Sequence, residues 1–464
     1  KVALESNPNI EQYWLSYINA LVKLERFEEA KKTHTLAKNK YSNSAGINEL
    51  GKYLLEVGTI PHKTSDNKTT EIKNLNDLCK KGEFKKALLM TNKLLIDFPE
   101  SDVLFNICGV CNAGLKQHDE ALKSYQKAIA IKPDFVAAYF NMGNSYVELK
   151  KFEKAVEAYK NVLSLDPNFV DALNNIGNTY SKISRFPEAI NAFEKAISLK
   201  PNLFGAMFNM GNALKKMGEL NRALETYERA VYINPGLDVA YYNIGNVHNE
   251  LNQIEEAVEA YKKAVSINPN EANYFNNLGN TYCDLDKFTE AITAYKKAIL
   301  LDANNPDSFN NIGNAYQKFG KYHEAIEAYK KAISIKPDFA DAFNNMGTAH
   351  SNFGEYEKAI LALKKSIAIK PDDAATYNNL GNAHKKNQKF FEAMEAFAKA
   401  LSINSDLTEA YYNIGVMLTG VKLRKPFVGL DNIMVALLDR KTLVRPKNII
   451  QAAISVLKFD PAIN

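Results

Sequence analysis

The sequence has few cysteines and no long hydrophobic run. Four cysteines are scattered through 464 residues, which excludes the dense disulfide framework of small secreted domains and indicates a reducing, cytoplasmic compartment. No apolar stretch approaches the roughly 18 residues needed to span a bilayer. The N-terminus also lacks the charged-then-apolar pattern of a signal peptide. We therefore expect no membrane partner.

A strong charge of one sign is missing as well. The formal net charge is +5 over 464 residues, which is too dilute for a nucleic-acid-binding surface. The sequence contains no P-loop, no dinucleotide-binding glycine fingerprint after a strand and no nucleophile elbow. We expect no nucleic-acid partner, no cofactor and no catalytic residue in this chain, so it is predicted not to be an enzyme.

One pair of cysteines has redox spacing, in the motif "CGVC" at 108–111. A redox motif of this kind needs a strand before it and a helix that begins at the first cysteine. Both cysteines instead fall inside a helix of the repeat described next, and Cys108 occupies a packing position. The pattern favours a structural role for this pair.

A 34-residue repeat runs through most of the chain. With its recurring glycine numbered position 8, large apolar residues occupy positions 4, 7 and 11, and a second stripe falls at positions 17, 20, 24 and 27. Each stripe has the spacing of one helix face, and glycine often marks a break near position 15. Each unit is therefore predicted to be a helical hairpin, with the small residues at positions 8 and 20 where its two helices approach closest. The repeating glycines are Gly109, Gly143, Gly177, Gly211, Gly245, Gly279, Gly313, Gly347, Gly381 and Gly415.

This pattern resembles the tetratricopeptide repeat family, whose unit is a 34-residue helix–turn–helix. The resemblance implies an all-α fold, a right-handed superhelical solenoid in which stacked hairpins bury each other's apolar faces. It also implies that first helices line the concave side of the solenoid and second helices the convex side.

The repeat divides the chain into three parts. Residues 1–67 hold a partial, degenerate unit, an extra helix and a polar linker. Residues 68–420 form the array: a degenerate first unit at 68–101, nine full units at 102–407, and the first helix of a tenth. The chain begins in mid-repeat without methionine, so we expect a fragment of a longer protein that continues past Asn464 into a transferase-like domain.

Residues 421–464 form a non-repeat tail that either caps the array or connects it to a further domain. Two amphipathic helices are predicted there, and the tail faintly resembles connectors between bacterial repeat arrays and transferase domains. The apolar face of the first is Leu430, Ile433, Met434, Leu437 and Leu438, and that of the second is Ile450, Ala453, Ile454 and Leu457.

Asparagine recurs on the first helices, although it is a mediocre helix former. At 100° per residue, positions 6 and 9 lie nearly opposite the predicted core face. An amide carries both a donor and an acceptor, so a ladder of amides can pair with the backbone of an extended peptide; alternatively, the amides bond neighbouring helices or water. Position 6 is Asn141, Asn175, Asn209, Asn243, Asn277, Asn311, Asn345, Asn379 and Asn413, and position 9 is Asn144, Asn178, Asn212, Asn246, Asn280, Asn314 and Asn382.

The position-6 run resembles the repeat region of O-linked N-acetylglucosamine transferases, in which such asparagines hold substrate peptides. The resemblance implies a scaffold that binds protein or extended peptide ligands in its concave groove. The main alternative is the substrate-recruiting arm of a larger glycosyl-, methyl- or sulfotransferase, and a third is a structural spacer without a groove ligand. The oligomeric state is not predicted.

Charged residues at positions 2, 12 and 13 leave the predicted groove nearly neutral. Six are positive and seven negative, so no basic stripe is present, and position 5 offers no basic residue for a carboxylate clamp. On the second helices, pairs four residues apart, such as Glu259 with Lys263 and Glu327 with Lys331, predict a solvated outer face. The groove charges are Lys182, Lys215, Lys216, Lys318, Lys385 and Lys386 against Asp171, Asp307, Asp341, Glu409, Glu148, Glu250 and Asp284.

Three histidines share position 11, a packing position that Tyr or Leu fills elsewhere. A metal site needs convergent ligands at about 2 Å from one ion, whereas equivalent positions in neighbouring hairpins lie on the order of 10 Å apart. We therefore predict that His248, His350 and His384 are core or interfacial residues and that the chain has no metal site.

Overall fold

The computed structural model describes residues 10–23, 26–58 and 65–419, and the single positions 434, 435, 437, 449 and 452–454. Within these residues it contains 24 helices and no strand. The predicted fold class, an all-α solenoid of helical hairpins, is confirmed. The start of the chain through residue 9, with its predicted mid-repeat entry, lies outside the described residues.

Apart from the helix Ala45–Gly58, the helices alternate as first and second members of successive hairpins. By contact, the chain divides into two compact units, one ending at Thr226 and the other beginning at Tyr227. The bounds are α1 Glu11–Lys23, α2 Phe27–Lys40, α3 Ala45–Gly58, α4 Ser65–Lys80, α5 Phe84–Asp97, α6 Asp102–Gly114, α7 His118–Ile131, α8 Val136–Glu148, α9 Phe152–Leu165, α10 Val170–Lys182, α11 Phe186–Leu199, α12 Phe204–Lys216, α13 Leu220–Ile233, α14 Asp238–Glu250, α15 Ile254–Ile267, α16 Ala272–Asp284, α17 Phe288–Leu301, α18 Pro306–Lys318, α19 Tyr322–Ile335, α20 Ala340–Phe353, α21 Tyr356–Ile369, α22 Ala374–Lys386, α23 Phe390–Ile403 and α24 Thr408–Leu418.

The glycine at position 8 makes room for the large side chain at position 24 of the same hairpin. A Cβ placed on Gly279 would lie 2.7 Å from the ring of Tyr295, and one on Gly347 would lie 2.6 Å from Leu363 and 3.2 Å from the backbone oxygen of Ala359 at position 20. Real Cβ atoms essentially never show contacts below 3.0 Å. The two helices therefore do meet at positions 8 and 20, as the small residues there predict.

The degenerate unit at 68–101 reverses this arrangement. Leu75 stands at position 8, where the other units have glycine, and it is fully buried. Position 24 of the same unit is Thr91, which is also fully buried and whose hydroxyl donates to the backbone oxygen of Ala87 at 2.7 Å. The large side chain has moved from the second helix to the first, so the volume between the helices stays filled.

The core face of the first helices is wider than the apolar pattern predicts. Positions 3 and 10 are buried along the array, mostly as small residues such as Ala240 and Ala315. The reason is that each first helix packs on two sides: Ile312 and Ala315 of α18 lie in one cluster with Ile292 and Tyr295 of the preceding α17. Positions 6 and 9 are therefore mostly half-buried rather than on a free surface.

Position 15 ends the turn between the two helices in a left-handed backbone conformation. Glycine adopts it at Gly320, with φ of 77°, but non-glycine residues such as Lys150 adopt it as well, with φ of 57°. A side chain at this φ is strained by its own backbone. The predicted break near position 15 thus reflects a left-handed backbone conformation that every such turn needs. Glycine supplies it in some repeats and a larger residue in others.

The extra helix between the first two hairpins is present as α3, with Ile47 and Leu54 buried. The polar stretch after it is shorter than predicted, because α4 already begins at Ser65. Residues 59–64 of the predicted linker lie outside the described residues.

The described positions of the tail pack on the last hairpins. Met434, Leu437, Ile449 and Ala452 are buried in one cluster with Ile414 of α24, a contact of the capping kind. For the second tail helix the predicted face was partly wrong: Ile449 and Ala452 are buried and Ala453 packs against the same cluster, whereas Ile454 is exposed. The rest of the tail, Leu430, Ile433, Leu438, Ile450 and Leu457 included, lies outside the described residues.

The outer face carries ion pairs three residues apart instead of the predicted four. Glu259 contacts Lys262 at 2.7 Å, and Glu327 contacts Lys330 at 2.7 Å. The side chains of both pairs remain about half exposed or more, as expected for a solvated surface.

Candidate peptide-binding surface

The first helices of the first unit line an open cleft of about 860 Å³. Five of the predicted asparagines face it, from positions 6 and 9 of α8, α10 and α12. The wall also includes Val110, Ala113, Val147, Glu148 and Lys182 from positions 9, 12 and 13. The five asparagines are Asn141, Asn144, Asn175, Asn178 and Asn209.

The amide nitrogen of position 6 points to the preceding hairpin. In seven of the nine cases Nδ2 donates to an asparagine Oδ1 on the preceding first helix, at 2.8–3.4 Å. The acceptor is position 9 of that helix for Asn175, Asn209 and Asn277, and position 5 for Asn141, Asn345, Asn379 and Asn413. The amides thus join neighbouring hairpins. This agrees with the alternative given above, in which the asparagines bond neighbouring helices.

The amide oxygen of position 9 is held from within its own hairpin. In four hairpins the residue at position 24 is a tyrosine whose hydroxyl donates to the asparagine Oδ1 at 2.6–2.7 Å. The hydroxyl is held in the core, where burial raises the pKa of Tyr159 to about 12. The four bonds join Tyr159 to Asn144, Tyr261 to Asn246, Tyr295 to Asn280, and Tyr329 to Asn314.

These bonds decide which amide atoms remain for a ligand. Nδ2 of Asn175 and Nδ2 of Asn209 each donate to the preceding hairpin, so the Oδ1 atoms of these two residues are left as acceptors. Neither of these oxygens is among the buried polar atoms of the described residues that lack a hydrogen-bond partner. Because Oδ1 of Asn144 accepts from both Tyr159 and Asn175, its Nδ2 is left as a donor. The cleft wall therefore alternates acceptors from position 6 with donors from position 9.

The second unit carries the remaining asparagines on α14, α16, α18, α20, α22 and α24. Asn277 donates to both Asn246 and Tyr242, whereas Asn311 makes no side-chain hydrogen bond to any described residue. Lys385, one of the predicted groove lysines, donates to Oδ1 of Asn413 at 2.9 Å, and burial lowers its pKa. Asn243, Asn280, Asn314, Asn379 and Asn382 are half-buried or exposed on the same helices, as is Asn212 on α12 of the first unit.

Charges of both signs meet at the cleft of the first unit. Lys116, Lys182 and Glu148 line it, and Lys182 Nζ also lies 5.7 Å from the centre of the Phe152 ring. A wall with so few charges selects poorly for ligand charge, so hydrogen bonding and shape are its main means of recognition.

The position-11 histidines belong to the packed helices. His350 and His384 are buried, and His248 Nδ1 contacts Oε1 of Gln253 at 2.8 Å. Burial lowers the pKa of His350, although Glu355 at 2.6 Å opposes this. No group of three metal-ligating side chains is found in the described part of the chain. Likewise, none of the helices described is long and apolar enough to cross a membrane.

Family models for the tetratricopeptide repeat match the chain, and the matches at 170–203, 306–339 and 374–407 each span one hairpin. Models described as TPR repeat and tetratricopeptide repeat together cover residues 115–203, 205–237 and 245–407, more than half of the chain. The chain belongs to the tetratricopeptide repeat family. Proteins of this family generally bind protein or peptide partners.

Several solved tetratricopeptide repeat structures are similar to parts of this chain. MamA is 31% identical over 36% of this chain and 92% of its own, with a TM-score of 0.34. YrrB, a TPR protein with an unusual peptide-binding site, is 23% identical over 40% of this chain and 96% of its own, with a TM-score of 0.35. The C-terminal part of a TPR repeat-containing protein from Cytophaga hutchinsonii is 18% identical over 52% and 99%, with a TM-score of 0.44. No curated protein was found to match the chain.

Proposed function

We propose that this tetratricopeptide repeat protein is a scaffold that binds extended peptide segments of partner proteins along its asparagine-bearing first helices. The observation that carries the proposal is the cleft of about 860 Å³ in the first unit, with five asparagines in its wall. The proposed role is cytoplasmic and non-catalytic, requires no cofactor, and involves neither nucleic acid nor a membrane.

The orientation of the amides supports recognition of a peptide backbone. An extended peptide offers N–H donors and C=O acceptors in alternation along its length. The acceptor of Asn175 and the donor of Asn144 are the complementary groups, and Asn209 with Asn178 repeats the bond between positions 6 and 9 one hairpin further along the cleft. Backbone recognition of this kind tolerates many ligand sequences, while the apolar wall residues Val110 and Val147 add side-chain contacts.

The proposal is tested by selecting ligands and mapping where they bind. A library of random linear peptides is panned against the protein, and an enriched peptide is resynthesised with a photo-crosslinking residue at its centre. We expect crosslinks on α8, α10 and α12, on the side that carries Asn141, Asn175 and Asn209. Crosslinks confined to the second helices, or no enrichment over an unrelated helical protein, would reject the groove.

The resemblance of the position-6 run to N-acetylglucosamine transferase repeats supports a second proposal, in which the same groove recruits substrates for an attached transferase. The two proposals share the same peptide-binding groove. They differ in whether a transferase domain is attached to the repeat array. Reading the coding sequence beyond Asn464 separates the two, because a stop codon there would remove the transferase arm and leave the scaffold.

A further inference from the structure

Three of the four cysteines lie close together at the start of the array, and the closest pair does not come from the C-x-x-C motif. Sγ of Cys79 on α4 lies 3.5 Å from Sγ of Cys111 on α6. Cys108, the other cysteine of the motif, is held by Ser124, with Asn92 and Asn112 at 3.6–3.8 Å from its sulfur. The two nearest thiols are thus 32 residues apart in sequence and sit on neighbouring first helices.

We propose that Cys79 and Cys111 form a reversible disulfide when the protein meets a hydroperoxide. The two sulfurs need to approach from 3.5 Å to about 2.05 Å for a covalent bond, which rotation of two facing side chains can supply. All four cysteines are free thiols in the structure, and this inference does not depend on the proposed peptide groove.

The environment gives the two thiols different roles. Cys79 is half-buried and can meet a small oxidant, whereas Cys111 is fully buried. The hydrogen bond from Cys111 lowers the pKa of Cys79 despite partial burial, and the same contact, together with burial, raises the pKa of Cys111. The thiolate is the reactive form of cysteine, so Cys79 is the sulfur that reacts first.

The reaction balances with hydrogen peroxide as the oxidant. The Cys79 thiolate attacks one peroxide oxygen, the O–O bond breaks, and with one proton the products are a sulfenic acid and water. The Cys111 sulfur then attacks the sulfenic sulfur and gives up its proton to the departing hydroxide, which leaves as a second water. Two thiols are oxidised by two electrons and one peroxide is reduced. A dithiol reductant reverses the bond by thiol–disulfide exchange.

The bond would join the degenerate unit to the first full unit. Leu75 of α4 lies in one apolar cluster with residues of α5 and α6, and Cys79 packs against the same cluster. Neighbouring helices of a repeat array can separate in local opening events. A covalent link across α4 and α6 would suppress that opening under oxidising conditions.

Peptide mapping of the intact chain tests the proposal. The reduced protein is treated with equimolar hydrogen peroxide and digested with trypsin without reductant. Cleavage after Lys73 and Lys80 releases Cys79 on one peptide, and cleavage after Lys93 and Lys116 releases both Cys108 and Cys111 on another. We expect the two peptides to be crosslinked, the mass to fall by two hydrogen atoms, and the free thiols to fall from four to two.

Single substitutions assign the partners. Cys108→Ser and Cys283→Ser should keep the crosslink, whereas Cys79→Ser should abolish it, and amide exchange in α4 should slow after oxidation of the unsubstituted protein. A disulfide inside the Cys108–Cys111 peptide, a crosslink lost in Cys108→Ser, or oxidation of Cys79 to a sulfinic acid without a crosslink would overturn the proposal. Unchanged exchange in α4 would overturn its stabilising effect.

Discussion

At the scale of single residues, the repeat depends on the pairing of glycine at position 8 with a large side chain at position 24. The ring of Tyr295 lies where a Cβ of Gly279 would stand, and small-for-large exchange within the pair, as at Leu75 and Thr91, keeps the same volume filled. The pair therefore fixes the distance between the two helices of each hairpin.

A larger residue at position 8 should push the two helices of the hairpin apart. Gly279→Leu would collide with the Tyr295 ring and should lower the free energy of unfolding by about 1–3 kcal/mol or more. Lys297→Ala, on the exposed face of the adjacent helix, should change it by less than about 0.5 kcal/mol. Urea unfolding followed by circular dichroism compares them, and equal effects would contradict the assigned faces.

Two asparagines at the same repeat position offer a matched comparison of the hydrogen bonds between hairpins. Asn277 donates to Asn246 and Tyr242, whereas Asn311 has no described side-chain partner. Asn277→Ala should therefore destabilise by about 0.5–1.5 kcal/mol. Asn311→Ala should be neutral or slightly stabilising, because alanine is the better helix former by roughly 0.5 kcal/mol. If both substitutions stabilise the protein equally, the hydrogen bonds of Asn277 contribute nothing to the free energy of unfolding.

At the scale of the helical elements, the apolar spacing was enough to predict the hairpins, their period and the contact at position 8. It did not predict that positions 3 and 10 are buried, because small residues such as Ala240 and Ala315 leave no apolar signal and the contact comes from the preceding hairpin. The sequence was enough to predict the positions of the asparagines, but it did not predict which way each amide group is oriented. Asn175, for example, is oriented by Asn144, 31 residues earlier.

The turn at position 15 offers a test of backbone strain alone. Lys150 has φ of 57° and Gly320 has φ of 77°, and no atom lies within 4 Å of a Cβ placed on Gly320. Lys150→Gly should stabilise the protein by up to about 1 kcal/mol, since relief of the left-handed strain exceeds the entropy cost of glycine. Gly320→Ala should destabilise it by about 1 kcal/mol. Thermal unfolding measures both, and shifts of the same sign would contradict the account.

At the scale of the whole molecule, each unit is a one-dimensional stack in which helices pack chiefly against their nearest neighbours along the chain. Stability in such a stack is the sum of hairpin and interface contributions. The buried tyrosines at position 24 recur in many of these hairpins, at Tyr125, Tyr159, Tyr227, Tyr261, Tyr295 and Tyr329, so one titration probes a large part of the array.

Alkaline pH should unfold the array through these tyrosines. Burial raises the pKa of each of them, to about 12 for Tyr159, above the unfolded value of about 10. The stability they contribute is fully present below pH 10 and is lost as pH rises through the folded pKa, because the unfolded state releases its protons first. Tyrosinate absorbance should rise in two steps, and the second step, from these buried residues, should coincide with the loss of helical circular dichroism above about pH 10. Full ionisation near pH 10 with the helices intact would contradict their burial.

The central claim is that the asparagine-lined cleft of the first unit binds extended peptides. Its most direct measurement is the calorimetric affinity of a library-selected peptide for three proteins: the unsubstituted chain, a variant with Asn141, Asn175 and Asn209 changed to Ala, and a control. The control changes Gln126, Glu157 and Asn161 to Ala around a separate groove of the same unit, which is lined by residues of α7, α8 and α9. Circular dichroism verifies that each variant is folded at the assay temperature.

With about 0.5–1.5 kcal/mol for each lost hydrogen bond, the asparagine variant should bind roughly 10- to 2,000-fold more weakly, and the control should bind like the unsubstituted chain. A folded asparagine variant with unchanged affinity, or an equal loss in the control, would contradict the claim and leave the asparagines as bonds between hairpins.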